Sequence, residues 1–306
     1  MTWTRPLADL RRSDAAEFGG KSANLGELLT AGIPVPTGFA IDASAYRALR
    51  DHVPDELRAE LAQRYAAMGE PPVAVRSSAL GEDSHDATFA GQQESFLWVR
   101  GVDRLCVAVV GCWASLHSER AAAYREQMGA REVAMGVAVQ EMVDAEVSGV
   151  MFTCNPVSGD PSMIAIDASW GLGLSVVGGE TTPDSYLVSK VTGEVVRETV
   201  SSKEVEYVPD TAGRGTVRLQ IPAERRDAPC LDAARIAALV EVGKRVERHF
   251  GSYQDVEWAM ARGRELPESL LMLQARPVTA VREAPKLSTD ALSLVMDTFG
   301  ANPDRD

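Results

Sequence analysis

The sequence predicts an α+β protein built from two lobes. Up to about residue 138, apolar stripes at helical spacing alternate with short strands, and from Val137 onward the spacing becomes that of strands. The chain has 306 residues, a length that favours about two domains or lobes. Hydrophobic residues make up 45% and charged residues 25%, a balance that excludes a disordered chain. We expect a mixed lobe over residues 1–138, a strand-rich lobe over 139–282, a tail or linker over 283–306, and a ligand in the cleft between the lobes.

Four helices are predicted from apolar stripes and from residues that begin or end helices. The first follows Gly19 and Gly20 and stops at Gly32, because glycine is favoured just past a helix end. Asp55 and Asp103 are expected to open the second and third helices, the third ending near residue 129. The fourth covers about 232–250, and a short amphipathic helix is expected over 289–299 of the tail. The apolar residues expected to face the core are Leu25, Leu28 and Leu29; Leu57, Leu61, Tyr65 and Met68; Leu105, Val109, Trp113 and Leu116; and Ile236, Leu239, Val246 and Phe250.

Short strands with alternating or continuous apolar residues are predicted between these helices. Their expected positions are 39–41, 73–77, 137–143, 147–153, 163–168, 185–189, 194–200, 216–221, 254–260 and 270–277.

Charge and hydropathy exclude several classes of partner. The net charge of −13 disfavours a duplex-binding surface or an anionic-membrane anchor, because both need clustered cations. The longest uncharged apolar stretch, residues 105–118, is shorter than the roughly 18–20 residues of a membrane span, and charges occupy the place of a signal-peptide apolar run. The four cysteines show no C-x-x-C spacing, which indicates reduced, buried thiols and a cytoplasmic protein.

The clearest chemical pattern lies in the last two predicted strands. Alternation places Asp255 and Glu257 on one face of the first strand, and Gln274 and Arg276 on one face of the second. If the strands pair, two carboxylates, an amide oxygen and a guanidinium share one surface. Such oxygens are the ligands that Mg²⁺ prefers beside phosphates, and the guanidinium neutralises phosphate charge. A surface hairpin with an ordinary ion pair is the alternative interpretation.

Gly19-Gly20-Lys21-Ser22 resembles the end of a phosphate-binding Walker A loop, but Ala15 occupies the position where that motif requires its first glycine. A phosphate site is still reasonable, because the two glycines expose backbone N–H groups at a helix N-terminus and Lys21 adds positive charge. A helix start with a solvated lysine is the alternative.

Arg76 lies at the end of an apolar strand and needs an anionic partner if it is buried. That partner is expected to be a phosphate, or Asp83 or Glu82 nearby. Gly91, Gln92 and Gln93 supply small residues and donors for a loop that closes over phosphates, or else they form an ordinary turn.

Together these segments resemble the nucleotide-binding domain of the family that contains phosphoenolpyruvate synthase, pyruvate phosphate dikinase and rifampin phosphotransferase. They occur in the family's order and cover nearly all of residues 19–280. The matching stretches are Gly19-Gly-Lys-Ser-Ala-Asn-Leu-Gly-Glu-Leu28, Val73-Ala-Val-Arg-Ser-Ser78, Phe89-Ala-Gly-Gln-Gln93, Cys112-Trp-Ala-Ser-Leu116 with Arg120, Gln140-Glu-Met-Val143, Ser148-Gly-Val-Met-Phe-Thr153, Asp255-Val-Glu257 and Leu273-Gln-Ala-Arg-Pro-Val278.

The resemblance implies a two-lobed ATP-grasp-like fold with ATP and Mg²⁺ between the lobes. It implies that Glu257 and Gln274 hold Mg²⁺, with Asp255 supporting them. It further implies phosphate contacts from Lys21, Arg76, Arg120 and Arg276, a mobile loop at Gly91, Gln92 and Gln93, and adenine binding through backbone groups of Gln140, Glu141, Met142 and Val143. Members of the family pass the β-phosphate of ATP to a histidine on a separate swivelling domain and release AMP and phosphate.

The sequence departs from the family in three ways. The segment 46–71 is shorter than usual, residues 79–85 differ, and neither the phosphocarrier histidine motif nor the acceptor-binding domain is present. We therefore expect a phosphorylating subunit, or an excised domain, that needs a histidine-carrying partner and binds neither nucleic acid nor membrane. A regulatory ATP-binding module and a direct small-molecule kinase are the alternatives. Pyruvate, an antibiotic, a phenol or a biosynthetic intermediate are all compatible as the final acceptor.

Overall fold

A computed structural model describes residues 2–49, 52–80, 95–116, 134–177, 179–210 and 215–278. The helices are α1 (Ala15–Phe18), α2 (Gly20–Thr30), α3 (Ala43–Leu49), α4 (Asp55–Ala67), α5 (Val102–Ser115), α6 (Leu174–Val177), α7 (Ala223–Arg226) and α8 (Ala233–Phe250). The strands are β1 (Thr4–Pro6), β2 (Gly38–Ile41), β3 (Val73–Ala79), β4 (Ser95–Val99), β5 (Met135–Glu141), β6 (Ala145–Phe152), β7 (Met163–Trp170), β8 (Asp184–Ser189), β9 (Val195–Thr199), β10 (Val205–Pro209), β11 (Thr216–Gln220), β12 (Gln254–Ala261) and β13 (Leu270–Pro277).

The first lobe is an antiparallel five-stranded sheet in the order β1-β2-β5-β3-β4. Helices α3, α4 and α5 pack on one face of it and bury Tyr46, Leu57 and Trp113. Strand β5 is the central strand and runs through residue 141, so the sheet crosses the predicted lobe boundary at residue 138. The strand order therefore places residues 139–141 in the sheet of the first lobe, and the division of the chain into lobes stays a prediction.

The second lobe is an antiparallel six-stranded sheet in the order β13-β12-β6-β7-β8-β9. Helix α8 packs against one face, burying Ile236, Leu239 and Val246 against residues such as Trp258. The opposite face carries Ser148, Val150 and Phe152 of β6, which line a cleft between the two sheets. A separate hairpin, β10–β11, lies beside this sheet, and the Leu172 N–H donates to the Tyr207 carbonyl of β10 at 2.9 Å.

One hydrophobic cluster is shared by the two lobes. Leu25 and Leu28 of α2 belong to the same buried cluster as Trp258 and Met272 of the second sheet. The Asn24 side chain also donates to the Ala275 carbonyl of β13 at 3.0 Å. Helix α2 therefore belongs to the first lobe in sequence but is also anchored on the second, and it fixes the position of one lobe relative to the other.

Most predicted elements are confirmed. The predicted stripes of α2, α4, α5 and α8 are buried or half-buried. Asp232 caps α8 by accepting from the Arg235 N–H, and Gly251 ends that helix in the left-handed conformation. The expectation for Asp55 and Asp103 was wrong in detail: both are in the first turn, where the helix dipole favours a carboxylate, and the caps are Pro54 and Gly101.

Sequence analysis missed three strands, β1, β4 and β10, which are only three to five residues long. The expected helix over 289–299 and the end of the third helix lie outside the described residues. All four cysteines are buried and have free thiols, as expected. In the parts of the chain that the structure describes, no helix has the length and apolar character needed to cross a membrane.

A fully buried ion pair ties three segments of the second lobe together. The Lys203 ammonium lies 2.5 Å from Asp184 Oδ1, and neither side chain is exposed to solvent. Lys203 also donates to the Ser201 carbonyl, and Asp184 accepts from the N–H groups of Ser201 and Cys230. Burial raises the pKa of the neighbouring Cys230 thiol and the nearby Asp184 charge raises it further, so this thiol stays protonated.

We expect Lys203→Met to lower the free energy of unfolding by about 3–5 kcal/mol, because it leaves the Asp184 carboxylate buried with no cation beside it. Urea unfolding measures this. Lys244→Met is the matched control, since Lys244 pairs with an exposed Glu241 on the surface of α8 and should cost at most about 1 kcal/mol. Equal losses in the two variants would contradict the prediction.

Candidate active site

A cleft of about 770 Å³ lies between the two sheets. Its walls come from β3 and β5 of the first lobe and from β6, β12 and β13 of the second. Ten predicted site residues line it: Lys21, Arg76, Gln140, Glu141, Met142, Val143, Asp255, Glu257, Gln274 and Arg276. The other four, Gly91, Gln92, Gln93 and Arg120, lie outside the described residues.

The pairing of β12 with β13 brings the acidic, amide and guanidinium groups together. Glu257 stands opposite Gln274, and Asp255 stands opposite Arg276, in one antiparallel register. The intervening Val256 turns into the core on the other face. The alternative of an ordinary surface hairpin is therefore wrong, because these side chains face a cleft covered by the first lobe.

Arg276 and Asp255 form an ion pair within the hairpin. Two guanidinium nitrogens of Arg276 contact Asp255 Oδ2, Nε at 2.8 Å and Nη2 at 2.7 Å. Burial raises the pKa of the Asp255 carboxyl, with Arg276 opposing the shift and the nearby Glu257 charge adding to it. This pair holds the Arg276 guanidinium at the edge of the cleft.

Arg76 and Glu257 form an ion pair that bridges the two lobes. Arg76 Nη2 lies 2.5 Å from Glu257 Oε2, and Nη1 donates to the Leu273 carbonyl at 3.0 Å. Burial pushes the pKa of Glu257 upward, but Arg76, Lys21 and Arg276 outweigh that effect and hold the pKa below its usual range. Sequence analysis expected a phosphate, Asp83 or Glu82 as the partner of Arg76. Among the described residues its partner is Glu257, because the lobes meet at this point, and Glu82 and Asp83 lie outside those residues.

Lys21 is placed by a close contact between α2 and β3. Gly19 has φ +81°, and a Cβ atom there would lie 2.2 Å from the Ser78 carbonyl oxygen, so only glycine fits. The first turn of α2 is thereby pressed against β3, and Lys21 Nζ donates to the Ser77 carbonyl at 2.9 Å. Lys21 is 6% exposed, which makes the alternative of a solvated lysine wrong.

The oxygen atoms of this site fit a magnesium ion. Gln274 is 7% exposed, and its Oε1 atom has no hydrogen-bond partner among the described residues. A buried acceptor without a donor is costly, and a cation satisfies it. Together with the opposed Glu257 carboxylate it offers the hard oxygen ligands that Mg²⁺ prefers. Within the described ranges no group of three or more His, Cys, Asp or Glu side chains is placed to hold a metal ion.

The segment that connects the lobes has fewer available backbone donors than expected. The Glu141 N–H donates to the Thr37 carbonyl and the Met142 N–H to the Pro72 carbonyl, each at 2.8 Å. Those two amides are committed, and the Val143 N–H has no backbone partner among the described residues. The Gln140 side chain is 2% exposed, and its Nε2 donor has no partner among the described residues.

Several cleft residues were not predicted, namely Ala74, Ser95, Leu97, Ala145, Ser148, Gly149, Val150, Phe152, Leu172, Gly173, Leu174, Val176, Trp258, Ala259 and Leu273. The loop at Leu172 begins at Gly171, where φ is +71° and a Cβ would lie 2.5 Å from the Tyr207 carbonyl oxygen. Gly171 and Gly173 indicate a loop at this point of the sequence. The sequence alone does not reveal that this loop contacts β10, a strand that was not predicted.

An α+β fold of two sheets encloses a cleft to which the first lobe contributes Lys21 and Arg76. The second lobe contributes Asp255, Glu257, Gln274 and Arg276. The family model described as the pyruvate phosphate dikinase AMP/ATP-binding domain matches residues 15–52 and 48–292. The chain belongs to this family. It is thus an AMP/ATP-binding domain of the pyruvate phosphate dikinase type, and the predicted α+β class is confirmed.

The curated relatives that this chain matches are named phosphoenolpyruvate synthase or probable phosphoenolpyruvate synthase. A probable phosphoenolpyruvate synthase of Methanothermobacter thermautotrophicus is 38% identical over 96% of this chain and 49% of its own length. The phosphoenolpyruvate synthase of Pyrococcus furiosus is 33% identical over 96% of this chain and 46% of its own length. The chain therefore spans about half the length of the curated relatives it matches.

Solved structures show a distant similarity. A dinucleotide-forming acetyl-coenzyme A synthetase of Ca. Korarchaeum cryptofilum aligns with a TM-score of 0.42 and 11% identity over 89% of this chain and 92% of its own. A D-alanine-D-alanine ligase of Helicobacter pylori aligns with a TM-score of 0.36 and 11% identity over 88% of this chain and 56% of its own.

We expect Glu257→Gln to make stability less sensitive to acid. The pKa of Glu257 is lower in the folded protein than its ordinary 4.5, so its contribution is present above about pH 5 and is lost as the pH falls through the folded pKa. Replacing it by glutamine removes that loss, and urea unfolding between pH 6 and pH 3 measures the slope.

Asp255→Asn is the contrasting variant. The pKa of Asp255 is raised, so its protonation favours the folded state as the pH falls, and its removal should make the acid decline steeper. Slopes that change in the same direction in both variants would overturn the prediction.

Proposed function

We propose that this chain is the ATP-binding, phosphorylating domain of a phosphoenolpyruvate synthase-like phosphotransferase. In this proposal the β-phosphate of ATP is transferred to a histidine on a separate domain or partner chain, with release of AMP and phosphate. The observation that carries the proposal is the convergence of Lys21, Arg76, Arg276, Glu257 and Gln274 on one cleft.

The charged and amide side chains around the β12–β13 hairpin each have a role in this proposal. Lys21, Arg76 and Arg276 bind the phosphates and neutralise the charge that develops during transfer. Asp255 orients the Arg276 guanidinium through the two contacts at its Oδ2 atom. Glu257 and Gln274 hold Mg²⁺, which supplies charge neutralisation to the phosphate oxygens when bound.

The nucleotide base is proposed to lie at the segment that joins the lobes. The Val143 N–H and a carbonyl of this segment bind the adenine edge, since the amides of Glu141 and Met142 are already paired within the protein. The buried Gln140 side chain faces the same cleft. The roles of Gly91, Gln92 and Gln93 as a phosphate loop, and of Arg120 as a phosphate ligand, remain part of the proposal.

The phosphate acceptor is proposed to lie outside this chain. The chain matches only about half of relatives that are named phosphoenolpyruvate synthase, and its sequence carries no phosphocarrier histidine motif. Its four buried free thiols fit a cytoplasmic protein.

The test is incubation with ATP labelled at either the β or the γ phosphate, together with the remaining part of the Pyrococcus furiosus relative. We expect label from the β position on a histidine of that part, label from the γ position as inorganic phosphate, and AMP as product. Tight ATP binding without AMP would favour a regulatory module, whereas ADP as product would favour a direct small-molecule kinase.

We expect Arg276→Gln to lower the rate of phosphoryl transfer by about 100-fold or more, because it removes a guanidinium aimed at the transferring charge. Single-turnover AMP formation measures the rate. Arg235→Gln is the matched control, since Arg235 forms an ion pair of similar exposure with Glu146 outside the cleft. A rate in Arg276→Gln that equals the rate in Arg235→Gln would rule out the role of Arg276.

A further inference from the structure

Two side chains with opposite tasks in the proposed function are each other's partner in the structure. Arg76 is proposed to bind phosphate, and Glu257 is proposed to hold Mg²⁺. The two groups lie 2.5 Å apart, with side-chain exposures of 13% and 33%. The Arg76 Nη2 and Glu257 Oε2 atoms that form this contact are therefore occupied by each other and not by a phosphate or a cation.

We propose that the Arg76–Glu257 ion pair makes the cleft selective for a metal–nucleotide complex over a free divalent cation or a metal-free nucleotide. This inference rests on the proposed function and concerns how the same site excludes incomplete ligands. In the structure the Arg76 guanidinium neutralises Glu257 as the cation would, and the Glu257 carboxylate neutralises Arg76 as the phosphate would.

A divalent cation alone is a poor ligand for this pair. To reach Glu257 Oε2 it must displace Arg76, and the guanidinium then stays buried without an anion, which is costly. The hydrogen bond from Arg76 Nη1 to the Leu273 carbonyl keeps the guanidinium beside the site, where it repels the incoming cation. Arg76, Lys21 and Arg276 create a positive field that lowers the pKa of Glu257. The same field opposes the approach of a divalent cation.

A nucleotide without metal is unfavourable for the opposite reason. Its phosphates accept from Arg76, but the Glu257 carboxylate then lies unpaired beside further negative charge. The buried Gln274 Oε1 acceptor also keeps no partner among the described residues. Only a ligand that brings phosphate and cation together satisfies Arg76, Glu257 and Gln274 at once.

The experiment titrates the nucleotide-free full chain with Mn²⁺ and counts free Mn²⁺ by electron paramagnetic resonance. We expect Arg76→Gln to bind Mn²⁺ at least about tenfold more tightly than the unsubstituted chain, because the carboxylate is released. Arg235→Gln controls for the change in net charge, since it removes one guanidinium from an ion pair outside the cleft, and its Mn²⁺ affinity should match that of the unsubstituted chain.

A second variant keeps the proposal testable if Arg76→Gln does not fold. Arg76→Lys retains a cation but cannot hold the Leu273 carbonyl and the Glu257 carboxylate together, so we expect a smaller gain in Mn²⁺ affinity. Adding Glu257→Gln to either variant should abolish the gain. An unchanged or lower Mn²⁺ affinity in both Arg76 variants would overturn the inference.

The outcomes separate this inference from the proposed function. If the unsubstituted chain binds Mg²⁺–ATP while its Arg76 variants gain no affinity for Mn²⁺, the selectivity mechanism fails and the proposed function stands. If the unsubstituted chain does not bind Mg²⁺–ATP at all, the proposed function fails, whatever the Mn²⁺ titration shows.

Discussion

The salt bridge from Arg76 to Glu257 joins the two lobes at the point where the cleft carries its charges. Arg76 is on a strand of the first sheet, Glu257 is on a strand of the second, and the guanidinium also binds a carbonyl of the neighbouring strand. Because a partly buried charge needs a partner, this contact constrains how far apart the sheets can lie and which side chains face each other. The cleft and its chemistry depend on that constraint.

The shared hydrophobic core makes this arrangement stable. Helix α2 begins with the residues that bring Lys21 to the cleft and then packs Leu25 and Leu28 into the core of the second lobe. Gly19 allows the start of the helix to touch β3, so one short helix contacts both sheets. A displacement of α2 would move Lys21 and open the shared core together, which couples the phosphate-facing end of the cleft to the packing of both lobes.

The two ends of the cleft differ in the way they offer contacts. At the hairpin of β12 and β13 the groups are charged or are buried acceptors, and they suit an anion accompanied by a cation. At the segment after β5 the contacts are backbone groups and apolar side chains, and two of the amides there are already used within the protein. A ligand with a charged part and a flat, weakly polar part fits this division, as a nucleoside triphosphate does.

Local pattern was sufficient for most of the elements and for the faces of β12 and β13 that carry the site. The alternation of Asp255 with Glu257, and of Gln274 with Arg276, follows from the two-residue period of a strand and needs no knowledge of distant contacts. The order of motifs along the chain was likewise enough to indicate the family.

The tertiary structure decided the partners. Arg76 meets Glu257 across 181 positions of sequence, Lys21 meets Ser77 across 56, and the amide of Met142 meets Pro72. These contacts arise where the two sheets and α2 close on each other, and no short-range period encodes them. The sequence by itself therefore determined which chemical groups the protein has and on which face of each element they stand. Only the packing of the lobes decided which of those groups neutralise one another, because that depends on distances between segments far apart in the chain.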